Sequence, residues 1–408
     1  MLKPIFIATS LLSCTAFAQS LPIVVNCSGG ASLQTAVNAA RPGDSLLLKG
    51  ACAGPVTITT DGLKLLGGGT ASITGGGNVV TVTGAQQLLF SGLTISGGTT
   101  NGLVGQAGAQ ITLQNVTVSS NGVMGIQLLA NSAAVVTGGG VSGNVVNGID
   151  VEATSSLTVT GSYSITGNQV FGMNINGNSS LTLTNAKLTV SQNTLGIQLG
   201  TTASGFIADN LSSLTISNNA TDGLTIVSGS HMVDFGGVIS STGNGIHGIS
   251  INSKAGLDLD AGSQVTVSSN AGDGIHMENT SVMTIFNNPN FSGQPAPTNV
   301  IAQNNQGNGM NLETGSDVLV SNFAELTIHG NKLAGIALDD GSHIAFTQTI
   351  PVTGVTTTIT GNNPDAALTF AARATTLAND TIGTAACDAT VLVRGPFPVT
   401  CPAAATHK

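Results

Sequence analysis

The sequence predicts an all-β solenoid, a parallel β-helix of about twelve coils, from a fixed repeat and the alternation inside it. A motif of glycine followed by apolar, polar and apolar residues returns nine times, at steps of 23, 24, 24, 27, 25, 26, 35 and 26 residues. A period in this range indicates a solenoid whose units bury their apolar faces only by stacking on one another. The motif glycines are Gly125, Gly148, Gly172, Gly196, Gly223, Gly248, Gly274, Gly309 and Gly335.

Each repeat is predicted to contain three short strands and no helix. Apolar and polar residues alternate with period two, as in Gly148–Glu152, then in Leu157–Val159, and again in third segments such as Leu188–Val190. This alternation is typical of half-buried strands. The residue after each motif glycine should form an inward aliphatic column, and its members are Ile126, Ile149, Met173, Ile197, Leu224, Ile249, Ile275, Met310 and Ile336.

An asparagine recurs where the third strand ends, and we interpret it as a corner residue. Asparagine tolerates the left-handed backbone conformation and bonds to nearby backbone, so it suits a tight turn repeated in every coil. An exposed comb that binds carbohydrate is the alternative. The positions are Asn144, Asn168, Asn193, Asn218, Asn244, Asn270, Asn304, Asn331 and Asn362.

The solenoid is predicted to occupy residues 56–363, between two caps. Residues 1–18 have a basic start, an apolar stretch and an Ala-Phe-Ala end, which together are typical of a secretory signal peptide. Residues 19–55 form the predicted N-terminal cap, in which residues 32–41 carry apolar side chains at helical spacing. Residues 364–408 lose the repeat and form the predicted C-terminal cap.

Four of the five cysteines fall into two local pairs at the ends of the array, Cys27 with Cys52 and Cys387 with Cys401. In an exported chain this pattern predicts two disulfides, and a metal site is the alternative. We therefore expect export to the periplasm, the cell surface or the medium. Cys14 follows Leu-Leu-Ser, so a lipid anchor at this residue is a second interpretation of the leader.

The residues around the first coil carry a resemblance to a known family. Ser32–Val37, then Arg41–Leu48, then Pro55–Ile58, followed by the glycine and asparagine repeats, resemble the right-handed, single-stranded parallel β-helix proteins of the pectin-lyase-like superfamily. The resemblance covers nearly the whole mature chain. It implies the fold but not one activity, because this superfamily includes polysaccharide lyases, glycoside hydrolases, epimerases and adhesins.

Composition excludes some partners and activities. The chain has 10 basic and 19 acidic residues, a net charge of −9, and no cluster of lysine or arginine, which argues against nucleic acid as a partner. No apolar run after the leader is long enough for a transmembrane segment. The arginine that the resemblance implies for a pectate lyase is missing between Arg41 and Arg373. With no Trp and one Tyr, the chain also lacks aromatic platforms for sugar rings.

One outward face of the first strands gathers acids and histidines. Three outward positions of each repeat align on neighbouring coils: the one just before the motif glycine, the one two residues after it and the one four residues after it. We expect the 35-residue step, with its insertion at residues 289–298, to lie beside these positions. These residues are the candidates for ligand or ion binding: His247, Asp273, His276, Glu278, Asn311, Glu313 and Asp339. Asp150 and Glu152 lie on the same face about five coils away.

Two functions fit this face. The first is a non-catalytic surface or extracellular module that binds glycan or cell-surface material or has a structural role, without a cofactor. The second is a carbohydrate-active enzyme, a polysaccharide lyase or glycoside hydrolase, that uses Glu278, Glu313 or Asp339, since neighbouring coils bring carboxylates to the roughly 5 Å spacing of retaining glycosidases. A calcium ion held by the oxygen-rich set is a further alternative. Asp339–His343 superficially resembles a hydrolase motif, but its companion motifs are missing.

Overall fold

The computed structural model describes residues 21–287, 297–321, 324–347 and 357–368, and the backbone of four short strands beyond them. Over this part the chain is an all-β parallel solenoid of about thirteen turns, which confirms the predicted fold class. The predicted leader, Cys14, residues 289–296 of the predicted insertion and the pairing of Cys387 with Cys401 lie outside the described residues. The predicted domain boundaries remain predictions.

The first strand of every coil joins one parallel sheet. Each strand pairs with the equivalent strand of the coils before and after it, and the sheet contains fourteen strands of the described chain. In order they are Val56–Ile58, Val80–Thr83, Leu103–Gln106, Ile126–Leu128, Ile149–Val151, Phe171–Ile175, Leu195–Leu199, Leu224–Ile226, Ile249–Asn252, Ile275–Glu278, Met310–Leu312, Ile336–Leu338, Ala366–Leu368 and Ala385–Cys387.

The second and third strands form the other faces. At the start of the solenoid Ile23–Asn26, Ser45–Lys49 and Ala51–Ala53 are separate short strands. In the next six coils the second and third strands run together, as Lys64–Thr74, Leu88–Ser96, Gln110–Ser119, Ala133–Ser142, Ser156–Thr166 and Ser180–Ser191. Later they separate, as Ser204–Ile207 and Ser213–Ser217, His231–Phe235 and Val238–Thr242, Gly256–Asp260 and Gln264–Ser268, Val282–Ile285 and Thr298–Gln303, Asp317–Ser321 and Ala324–His329, His343–Thr347 and Thr357–Thr360, Arg373–Thr375 and Thr381–Ile382, then Leu392–Arg394. The three predicted strands per coil are therefore present, and parallel pairing continues past residue 363.

The predicted inward column is the core of the first-strand sheet. Ile149 pairs with Ile126 before it and with Met173 after it, and the same register continues to Met310 and Ile336. All nine predicted members are at most 3% exposed. Stacking like side chains at the ~4.8 Å strand spacing excludes water from the whole length of the coil.

The recurring asparagines form a buried ladder of hydrogen bonds between their side chains, rather than taking the left-handed conformation of a corner residue. This observation corrects the predicted role of the asparagines, and it replaces two of the predicted positions by their neighbours. The backbone N–H and side-chain amide of Asn144 both donate to Oδ1 of Asn168, at 3.1 and 2.9 Å. The left-handed residue is the one before each ladder asparagine, so Asn218 and Asn304 turn the chain while Asn219 and Asn305 bond. The ladder is Asn121, Asn144, Asn168, Asn193, Asn219, Asn244, Asn270, Asn305, Asn331 and Asn362. Nine of these are buried, so they are not an exposed comb.

The motif glycine is required by the space beside this ladder. A Cβ atom on Gly172 would lie 2.6 Å from the carbonyl oxygen of Gly196 and 2.8 Å from the side-chain nitrogen of Asn193. The backbone of the next coil therefore passes where a side chain would be. This close approach explains why glycine precedes the first strand in coil after coil.

The N-terminal segment has a helix and a disulfide. The helix Leu33–Ala39 begins after Ser32, whose hydroxyl accepts the N–H of Thr35, and a 3-10 turn spans Cys27–Gly29. Leu33 and Val37 are buried, as the helical spacing predicts. The predicted disulfide between Cys27 and Cys52 is present. That the helix caps the first coil remains a prediction. Among the described residues no helix is long and apolar enough to cross a bilayer.

Asp234 interrupts an otherwise apolar inward column. It pairs in register with Ile207 and Leu259 and is fully buried. Its Oδ1 accepts the N–H of Gly237 at 2.8 Å, whereas Oδ2 has no hydrogen-bond partner. Burial raises the pKa of Asp234 to about 7, because the charged form would lose its hydration. The sequence analysis did not single out this residue.

We expect Asn219→Ala to destabilise the protein by about 1–3 kcal/mol, because it removes the oxygen that accepts the buried backbone N–H of Asn193 and one of the two donors to Oδ1 of Asn244. Asn218→Gly is the matched control, since glycine adopts the left-handed conformation of Asn218 freely. Urea unfolding followed by circular dichroism measures both changes. Equal losses in the two variants would contradict the ladder's role.

We expect Asp234→Asn to stabilise the protein at pH 8 and to leave it unchanged near pH 4. The unfolded chain releases this proton near pH 3.8, while the native state holds it to about pH 7, so wild-type stability falls across that window by roughly 4 kcal/mol. The asparagine variant lacks this fall. Melting temperatures of both proteins at pH 4, 6 and 8 measure this loss of stability. Parallel curves of melting temperature against pH for the variant and the wild type would refute the prediction.

Asp209, at the same corner one coil earlier, provides a control of opposite sign. Burial would raise its pKa, but hydrogen bonds from Ser212 and from the backbone of Asn185 and Leu211 outweigh that effect and lower it. Asp209→Asn should therefore cost stability at pH 8 and progressively less as the pH falls through the native pKa.

Candidate functional site

The structure brings most of the predicted site residues together on the first-strand face. Two overlapping groups, each with one ligand-capable atom per residue within 4.8 Å of the others, are His247 with Asp273 and His276, and His276 with Glu278 and Glu313. The parallel register creates these groups, because Ser250, His276 and Asn311 occupy equivalent positions on consecutive strands. Asp339 lies on the next coil and belongs to neither group.

The residues just before the motif glycine hold neighbouring coils together through hydrogen bonds to the backbone. On each coil the side chain accepts the backbone N–H of the equivalent residue on the next coil: Asp222 from His247, His247 from Asp273, and Asp273 from Asn308. His247 accepts through Nδ1 at 3.0 Å, so a neutral ring carries its proton on Nε2. This column therefore completes backbone hydrogen bonding at a corner, which composition and spacing did not reveal.

Asp273 also orients His276. Its Oδ1 accepts from the backbone and side chain of Asn308 at 2.6 and 3.0 Å, and its Oδ2 lies 3.1 Å from Nδ1 of His276. The rings of His247 and His276 stack with centroids 4.4 Å apart and planes 8° from parallel. The ring of His276 is thus held by a carboxylate on one edge and by an imidazole on its face.

The two histidines have opposite pKa shifts. Burial and the neighbouring His276 lower the pKa of His247 below its ordinary value. Burial also opposes charge on His276, but the hydrogen bond and negative charge of Asp273 outweigh it and raise its pKa. Burial alone would raise the pKa of Asp273, yet the hydrogen bonds from His276 and Asn308 hold it low. The arrangement favours a neutral His247 beside a His276–Asp273 pair.

Glu278 and Glu313 complete the cluster and are held by amides. The side chain of Asn252 donates to Glu278, and that of Asn311 donates to Oε1 of Glu313 at 2.8 Å. Both carboxylates are half-buried, and among the described residues no lysine or arginine nitrogen lies within 4.0 Å of either. Two acids therefore face one another with His276 as the basic side chain of the group.

The insertion of the long step leaves the coil between its second and third strands. Its described ends are Asn287 and Pro297, between the second strand Val282–Ile285 and the third strand Thr298–Gln303. That corner lies opposite the first strand of the same coil. Residues 289–296 of the insertion lie outside the described residues, so their position beside the cluster stays a prediction.

Asp150 and Glu152 form a second acidic pair, as predicted, about five coils away on the same face. Asp150 is 2% exposed and accepts hydrogen bonds from Asn174 at 2.7 Å and from Asn147 at 3.3 Å. Burial and the neighbouring Glu152 raise the pKa of Asp150 to about 7. The burial of Asp150 could not be anticipated, since its position in the alternation points outward.

Neutral polar side chains extend along this face on both sides of Asp150. Gln127 accepts from Asn101 at 3.0 Å and donates to Glu152 at 3.4 Å, and Gln198 donates to Asn174 at 3.3 Å. Thr225 and Ser250 continue the same column towards His276. The face thus carries polar groups that both donate and accept hydrogen bonds along several coils.

The parallel pairing of equivalent strands from coil to coil makes this chain a parallel β-helix protein. Solved structures that it resembles include the A-module of mannuronan C-5 epimerase AlgE4 from Azotobacter vinelandii, with 11% identity, 90% of this chain and 93% of that chain covered, and a TM-score of 0.48.

The structure of the periplasmic alginate epimerase AlgG is 12% identical in sequence, with 91% of this chain and 82% of that chain covered and a TM-score of 0.44. The structure of pectate lyase Pel9A is 14% identical, with 74% of this chain and 77% of that chain covered and a TM-score of 0.42. No protein-family model and no curated protein sequence matches the chain. At such identities a shared fold does not transfer an activity.

We expect Glu152→Gln to lower the pKa of Asp150 without restoring its ordinary value. The substitution removes the neighbouring negative charge, but the larger cause, burial, remains. Carboxyl-carbon NMR titration of the variant and wild type measures this shift. An unchanged Asp150 titration would contradict the coupling, and an ordinary value would contradict the role of burial.

Proposed function

We propose that this protein is a carbohydrate-active enzyme that binds a glycan along the first-strand face and acts on it beside His276. The observation that carries the proposal is the cluster of His276, Glu278 and Glu313, in which groups able to move protons or bind an ion meet within 4.8 Å. Turnover by general acid–base chemistry requires such groups within hydrogen-bonding reach of one bond. This proposal prefers the second function expected from the sequence to the non-catalytic module.

The chemistry of the face supports a glycan with many free hydroxyls. The half-buried side chains of Gln127, Asn174 and Gln198 present neutral donors and acceptors along the coil, which match sugar hydroxyls. The distance from Asp150 to His276 is five coil steps, about 24 Å at ~4.8 Å per step. An extended oligosaccharide is the class of molecule that fits such a line. With few aromatic side chains, recognition would rely on hydrogen bonds rather than on ring stacking.

Export is part of the proposal. The leader-like residues 1–18 and the disulfide between Cys27 and Cys52 both support an oxidising compartment outside the cytosol, where glycans of this kind are found. The final compartment is left to experiment.

The second candidate is a glycan-binding module without turnover. One observation favours it: Asp222, His247, Asp273 and Asn308 all serve the backbone of the next coil, so part of the polar face is structural. Under this alternative the protein binds oligosaccharides without changing them.

We expect Glu278→Gln and Glu313→Gln each to reduce turnover at least 100-fold with little change in melting temperature, because half-exposed carboxylates on the outer face contribute little to the core. Glu325→Gln, on the third strand Ala324–His329 and so off the first-strand face, is the matched control and should retain activity. The assay exposes the protein to a panel of neutral and acidic polysaccharides and follows reducing ends, unsaturated products and epimerised residues.

Binding of a panel glycan by the wild type with none of these products would favour the non-catalytic module. Full activity in both glutamine variants would refute the assignment of the cluster as the active centre.

A further inference from the structure

We propose that His276, Glu278 and Glu313 form a binding site for one divalent transition-metal ion of the zinc or manganese class. These three residues come from two neighbouring coils, and each offers one ligand atom within 4.8 Å of the others. Metal–ligand bonds of ~2.0–2.2 Å require ligand atoms about 3–4 Å apart, so small side-chain rotations close the site around an ion. The inference concerns the occupant of the cluster and does not depend on its being catalytic.

The orientation of His276 supports this site. Its Nδ1 lies 3.1 Å from Oδ2 of Asp273, and Asp273 is anchored in turn by the backbone and side chain of Asn308. Nδ1 also lies 3.4 Å from the amide nitrogen of Asn311, but the shorter contact to Asp273 is the one that orients the ring, so we assign the proton to Nδ1, which leaves the lone pair of Nε2 for a ligand. A histidine held by a carboxylate in this way is the usual arrangement in protein metal sites.

The carboxylates are arranged in the same manner. Asn311 donates to Oε1 of Glu313, and Asn252 donates to Oε1 of Glu278, so each carboxylate has one oxygen fixed and a second oxygen for the ion. Like charges so close together repel unless a proton or a cation lies between them. Within the described chain no lysine or arginine supplies that positive charge to the two glutamates.

The neighbouring group of His247, Asp273 and His276 is a poorer site. Nδ1 of His247 already accepts the backbone N–H of Asp273, and Oδ1 of Asp273 already accepts two hydrogen bonds from Asn308. Binding a metal there would break the corner hydrogen bonds between coils. The structure therefore favours the three residues that have no such backbone task.

The ligand chemistry separates this site from a calcium site. Calcium binds six to eight oxygen ligands, whereas one imidazole nitrogen with two carboxylates suits zinc, manganese or iron. Three protein ligands also leave a coordination position open. If the proposed function holds, that position faces the glycan, and a substrate oxygen or a water molecule would occupy it.

Isothermal titration calorimetry on the full protein, purified without a histidine tag and stripped with a chelator, tests the site with zinc, manganese and calcium chlorides. We expect one zinc or manganese ion per chain and calcium binding at least 100-fold weaker. Glu313→Gln and His276→Gln should each lose at least 100-fold in affinity, and Asp273→Asn, which acts through His276, should lose about 10–100-fold. Glu152→Gln should bind like the wild type.

Melting temperatures of the metal-free variants identify any that fail to fold. If another variant fails to fold, the metal affinity of Glu313→Gln decides the test, because Glu313 lies on the outer face. No stoichiometric zinc or manganese binding, a preference for calcium, or wild-type affinity in Glu313→Gln overturns the metal site. Glycan turnover that persists after chelation would also refute a role for the metal site in the active enzyme, and it would leave the proposed function intact. Stoichiometric metal binding without turnover on any glycan would refute the proposed function and leave the metal site standing.

Discussion

Everything in this molecule depends on the parallel hydrogen-bond register between successive coils. Because each strand pairs with its equivalent one turn away, every side chain lies over its counterpart at the ~4.8 Å strand spacing. The fold therefore stacks like on like. Aliphatic columns gain from this arrangement through burial, and asparagine columns gain because an amide both donates and accepts.

The same register makes charged columns costly. Acids at equivalent positions on adjacent coils face each other whether or not an interaction favours it, and the chain contains few basic residues to compensate. The structure shows three local responses. Asp273 is matched by His276, Asp150 is held by amides with its pKa raised, and Glu278 and Glu313 are held by amides beside His276. That last pair is consequently the place where an added ion or proton would change the local energy most.

Polar residues on the first-strand face fall into two classes that look identical in sequence. Those before the motif glycine use their side chains to accept an N–H from the next coil, so they belong to the scaffold. Those two and four positions after it bond to other side chains of the face, as Asn311 does to Glu313 and His276 does to Asp273. The proposed site belongs to the second class, and the first class positions it, since Asp273 connects the corner ladder to His276.

The sequence by itself determined the fold class, the inward columns, the first disulfide and the face that collects acids and histidines, because period and alternation specify which residues stack. It did not determine which neighbouring asparagine enters the ladder, since Asn218 and Asn219 differ only in backbone conformation. Nor did it reveal the buried Asp234, which occupies a core position against the pattern.

The grouping of His276 with Glu278 and Glu313, and the corner at which the insertion leaves the coil, were decided only by the tertiary structure. Both depend on where side chains meet between coils 26 to 35 residues apart in sequence, and that spatial relation is fixed by strand pairing rather than by any local preference.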